Sequence, residues 1–193
     1  MQMLLLIIGV VMFFGMHSFA MAAPGLRDAW AAAWGVNAWR AVYSLVSLAG
    51  LVLIIIGYAQ ARRAPVPLYF PPVGLRHVAF LLMLPVFPLI FAAYLPGRIK
   101  AALKHPMLVA VKTWALAHLL ANGMLADVLL FGSFLAWAVI DRISLGRRPP
   151  RPMMMPLPRP SVGNDILAVV LGLALYVATV LWLHRALYGM PLA

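Results

Sequence analysis

Residues 104–140 read KHPMLVAVKTWALAHLLANGMLADVLLFGSFLAWAVI, a run apolar enough to cross a bilayer twice. A single punctuation mark, Asn122-Gly123, sits near its middle and predicts a tight turn between two helices. Lys112, His118 and Asp127 lie inside the pair. Ionisable groups at membrane depth are costly to bury and mark functional positions, so the hairpin is the first place to look for chemistry.

The rest of the chain has the same character. It is 65% hydrophobic and 10% charged, with mean hydropathy +1.00, so lipid is the solvent for most of it. Fifteen Lys plus Arg against four acids give a formal charge of +11. These cations fall in the connections between apolar runs and form no continuous stripe, a pattern of anchoring to lipid headgroups that argues against nucleic acid as a partner. The absence of cysteine excludes disulfides and thiolate-ligated zinc or iron–sulfur clusters.

Working outward, residues 2–22 form a first span, kept as a helix despite the cleavage-like Ala20–Ala23, because Met1-Gln2-Met3 lacks the basic start of a signal peptide. Pro24-Gly25 stops it. Residues 26–40, with Trp30, Trp34 and Trp39, read as a short amphipathic connection at headgroup level. Residues 41–61 form a second span, in which Gly50 and Gly57 allow close helix contact. The segment 64–74, with four prolines, is expected to be extended and outside the hydrocarbon. A third span, 76–94, should kink at Pro85 and Pro88.

A basic connection follows, and Pro106 suits the first turn of the fourth helix. Residues 143–160 (ISLGRRPPRPMMMPLPRP) are expected to be a non-helical, basic, Pro-rich linker. Ser161–Asp165 offers capping residues for a sixth span ending near Leu187. The expectation is thus an all-α, single-domain (1–193), polytopic bundle of about six transmembrane helices. Connections after the first, third and fifth spans hold ten Lys and Arg and the opposite side four, which places those connections in the cytoplasm.

Metal ligation would rest on the five histidines, 17, 77, 105, 118 and 184. His118 and Asp127 are each about four residues from the turn and so share a depth. That spacing allows Asp127 to orient the His118 ring for a metal, or simply to hold the hairpin by a buried hydrogen bond. Lys112 can snorkel toward the Lys104 end or neutralise an anionic group. No phosphate loop, nucleophile elbow or catalytic carboxylate pair is present.

Four stretches together resemble the NnrU family of bacterial inner-membrane proteins: GMHSFAMAAPGLRDAW, YSLVSLAGLVLIIIGYAQAR, KHPMLVAVKTWALAHLLANG with DVLLFGSFLAWAVIDR, and NDILAVVLGLALYVATVLWLHRAL. The resemblance implies a link to denitrification, through expression or assembly of nitrite and nitric oxide reductases. It extends to plant ζ-carotene isomerase, and so implies haem b with His17 and His118 as iron ligands and redox or isomerase-like chemistry on a hydrophobic small molecule; on the reading of the residues above, Asp127 would then orient His118 and Lys112 neutralise a propionate. The cysteine that the isomerase carries three residues before its second histidine is Ala115 here, which removes ligand exchange through that thiol. A non-catalytic factor that holds a reductase through residues 143–160 is the alternative. Lys104-His105-Pro106-Met107 also resembles a segment of isoprenylcysteine carboxyl methyltransferases, a remote third reading.

Overall fold

The computed structural model describes residues 3–147 and 159–189. Its elements are helical: α1 (Leu4–Ala22), α2 (Pro24–Trp34), α3 (Val36–Ala61), α4 (Gly74–Met83), α5 (Val86–Tyr94), α6 (Arg98–Leu103), α7 (Pro106–Ala121), α8 (Leu125–Arg147), α9 (Val162–Ala178) and α10 (His184–Tyr188). A π-helical turn, Thr179–Leu183, joins the last two. Among the described residues, four segments are long and apolar enough to cross a membrane: Val36–Ala61, Gly74–Tyr94, Leu125–Arg147 and Val162–Tyr188. The sharply bent pair α1 and α2 makes a fifth if taken as one span, and α7, at 16 residues, is a shorter apolar helix. This is a multi-pass membrane protein.

The chain divides into two compact units: Met1–Pro71 with Asn122–Arg147, and Pro72–Ala121 with Arg148–Ala193. In the first unit α1 packs along α3, and three glycines explain how closely. A Cβ on Gly9 would lie 2.6 Å from the Ile54 amide nitrogen, one on Gly50 2.8 Å from that of Phe13, and one on Gly57 would strike that of Leu6. Without side chains at these points the two backbones touch, which is how helices gain dispersion energy in lipid, where burial of apolar area drives nothing. Gly50 and Gly57 thus act as their spacing predicts.

The break before α8 is more than a turn. The proline-rich segment folds back onto it, with Leu68 and Tyr69 amides donating to the Gly123 carbonyl at 2.9 and 3.1 Å and the Leu125 amide donating to Val66 at 2.8 Å. Pro67 and Met124 form an antiparallel bridge. Non-helical backbone in a membrane protein must satisfy its polar groups against other protein, and this strap does so. Any Cβ on Gly123 would collide with the Tyr69 carbonyl.

In the second unit α5 packs on α9 and on α7. Pro85 divides the third span into α4 and α5, as expected. The Leu84 amide turns back to the Leu81 carbonyl at 3.3 Å, so the Phe80 carbonyl loses its usual donor four residues on. The Tyr176 hydroxyl of α9 donates to it instead, at 3.1 Å. Opposite α5, Gly172 lets α9 approach Pro88 to backbone contact.

Two expectations are corrected. The connection 26–40 is built from α2 and the start of α3: Pro24 occupies the first turn of α2, where its missing N–H costs nothing, and Gly35, at φ 89°, separates the two helices. Residues 143–147 are also helical, because the first proline of the expected linker is Pro149 and only residues close before it are barred from helix. The remaining linker prolines and the Met153–Met155 run lie outside the described residues. Ser161 makes no side-chain cap to α9, while the Asp165 carboxylate reaches a different helix. It accepts the Arg98 and Ile99 amides at 2.9 and 3.1 Å, capping α6.

Candidate functional site

His17 lies on α1 in the first unit, and its position follows from helical spacing. Its Nδ1 is 2.7 Å from the Phe13 carbonyl one turn back. A carbonyl only accepts, so Nδ1 carries the proton, and in the neutral ring Nε2 holds the lone pair. Aromatic rings surround the imidazole. Phe13 stacks at 4.0 Å between centroids, Tyr43 of α3 lies at 5.3 Å, and Trp137 of α8 stands edge-on at 5.7 Å. Phe14 and Phe134 extend this cluster.

Among the described residues, the buried Trp137 Nε1 of this cluster has no hydrogen-bond partner. An indole N–H left bare in an apolar interior is costly, and such orphans call for a partner. Spacing could have found Phe13 and Phe14, four and three residues before His17. Tyr43 and Trp137 come from other helices and carry no local signal.

His118 lies on α7 in the second unit and repeats the local arrangement. Its Nδ1 is 2.8 Å from the Trp114 carbonyl, again one turn back, which sets the same tautomer. Trp114 also packs against the ring at 5.2 Å. Lys112, on the same helix, is half-buried and has no hydrogen-bond or ion-pair partner among the described residues.

Asp127 is buried in the first unit, 5% exposed, with both oxygens engaged there. The Tyr58 hydroxyl donates to one at 2.6 Å and the Met124 amide to the other at 3.0 Å. Met124 directly precedes α8 and Asp127 is its third residue, so the carboxylate closes half of a capping box and favours the positive end of the helix dipole. Tyr58 was the residue missed, 69 positions away and bonded through tertiary packing.

The other three histidines lie in the second unit. His77 is exposed near the start of α4, His105 precedes Pro106, and His184 pairs with Tyr188 at 5.1 Å. No three His, Asp or Glu side chains converge among the described residues, so a bare metal ion has no ligand set there. What the geometry offers is two imidazoles, each with Nδ1 turned to the carbonyl one turn back, a placement that presents Nε2 as the lone-pair nitrogen of the neutral ring.

No curated protein and no solved structure matches the chain. The family profile described as NnrU protein matches residues 5–192, nearly the full length, and contains both histidines and the strap. The chain belongs to the NnrU family.

Proposed function

We propose that this protein binds haem b through His17 and His118 and serves nitrogen-oxide respiration in the bacterial inner membrane. The observation that carries the reading is the repeated bond from Nδ1 to the carbonyl one turn back. It orients each ring, fixes the proton away from Nε2 and raises the basicity of the nitrogen that would meet iron.

The residues around His17 fit such a group. Three aromatic rings pack against the imidazole and present flat apolar surface, and among the described residues the buried Trp137 N–H lacks the acceptor that a cofactor's polar edge supplies. Lys112 has the charge to neutralise a propionate. Haem, when bound, supplies one-electron chemistry at a potential set by its axial ligands and by burial. The chain's own part is to orient two imidazoles and to set apolar rings against that of His17. Asp127 supports it from a distance, by fixing the start of α8, the helix that carries Trp137.

The test is protein expressed with ample haem, purified in detergent and read optically. A Soret band is expected in the wild type, with haem content falling several-fold in His17→Ala and in His118→Ala. Absence of the band, or its survival unchanged in both variants, overturns the reading. A colourless protein that co-purifies with a reductase would instead support a non-catalytic assembly factor.

A further inference from the structure

We propose that the second unit carries a site for one anionic phospholipid, with the phosphate at the basic start of α6 and one acyl chain in the groove beside α9. Leu84, Pro85, Pro88, Leu89, Ile99, Val169 and Leu173 line that groove, about 390 Å³ in volume and wholly apolar. It exists because Pro85 interrupts the third span. The break between α4 and α5 falls where Gly172 draws α9 in against Pro88.

The groove has one charged end. Asp165 binds the amides that open α6, and Val169 and Leu173 follow it at one-turn intervals on the same face of α9. The lined path therefore runs about 12 Å from the Arg98–Ile99 corner toward Leu84. Arg98 and Arg159, both exposed, flank that corner with Lys100, whose Nζ donates to the Ala93 carbonyl at 2.7 Å, and the exposed Lys104 closes the other end of α6. The nearby carboxylate is that of Asp165, and both its oxygens are taken by backbone N–H groups.

Arg159 is held near by the bonds that Ser161 N (3.1 Å) and Asn164 Nδ2 (2.8 Å) give to the Pro96 carbonyl. An apolar channel that begins beneath a net positive cluster matches a lipid with a negative headgroup better than a neutral one. The corner also lies on the lysine- and arginine-rich side of the chain.

Purified protein in detergent is titrated with dioleoyl phosphatidylglycerol, dioleoyl phosphatidylcholine and inorganic phosphate, read by native mass spectrometry and thermal midpoint. One phosphatidylglycerol is expected to be retained and to raise the midpoint. The pair Arg98→Gln with Arg159→Gln should weaken binding by about thirty-fold, at roughly fivefold per cation near the headgroup. Leu173→Trp, which fills the groove, should weaken it by about tenfold without touching the charges.

Val169→Trp gives the same readout should Leu173→Trp fail to fold. Equal binding of the two lipids overturns the proposal. So does phosphate binding as tightly as phosphatidylglycerol, which would leave a simple anion site. Binding unaltered in the charge pair, or in the groove-filling variant, overturns it as well.

Discussion

Replacing Gly50 with alanine tests whether α1 and α3 are set by backbone contact, and whether that contact holds the His17 cluster. The new Cβ would lie 2.8 Å from the Phe13 nitrogen and 3.1 Å from its Cα, both backbone atoms that cannot rotate away. Relief to the ordinary limit of 3.4 Å requires the helices to part by about 0.6 Å. Overpacking of this kind costs about 1–3 kcal/mol.

A glycine-to-alanine change inside a helix also gains up to about 1 kcal/mol in propensity, which would blur a single measurement. Gly132 of α8 supplies the control, because nothing lies within 4 Å of its would-be Cβ. Gly50→Ala should therefore be about 1–3 kcal/mol less stable than Gly132→Ala, the propensity terms cancelling. Reversible unfolding in mixed detergent micelles measures the difference. Because Phe13 supplies the carbonyl that orients His17, Gly50→Ala should also lower haem retention while Gly132→Ala leaves it unchanged. Equal stability of the two variants would refute the close-packing argument.

Other substitutions probe the remaining polar locks. Tyr176→Phe leaves the Phe80 carbonyl without a donor beside the Pro85 break, and should cost about 0.6–2 kcal/mol in the same unfolding assay; no loss would mean the carbonyl finds another donor. Asp127→Ala removes two hydrogen bonds to a carboxylate and should cost about 2–3 kcal/mol, with faster amide exchange at Met124 as its local sign. The Tyr69 hydroxyl, which donates to the Asn122 carbonyl at 2.8 Å, is pushed above its usual pKa by burial and then by the Asp127 charge. Its contribution is therefore intact below about pH 10 and lost as pH rises through the raised value, so alkaline melts should fall more steeply in wild type than in Tyr69→Phe.

Features written in local composition were legible before any coordinates. The apolar runs, the division at Pro85, the start of α7 at Pro106 and the contact glycines each depend on residues within a turn or two of one another. Helix ends were read less well. Pro24 follows the end of α1, as expected, but also opens α2, and α8 continues to Arg147 because proline bars helix only close to itself. The donors that two acids meet were illegible for a different reason.

Asp127 and Asp165 carry the same local signal as any acid in the first turn of a helix. Which donors they meet depends on tertiary neighbours 69 and 66 or more residues away. Of the candidate site, the histidines were visible as rare ionisable groups in apolar helices. The rings enclosing His17 were not, since Tyr43 and Trp137 reach it only through packing.

Electron paramagnetic resonance of the ferric protein tests the haem assignment most directly, because spin state reports what lies on both faces of the iron. Two neutral imidazoles impose a strong ligand field, so the wild type should give a low-spin signal that turns high-spin when either His17 or His118 is replaced by alanine. A high-spin signal in the wild type, or a low-spin signal that both variants keep, would contradict ligation by these two residues.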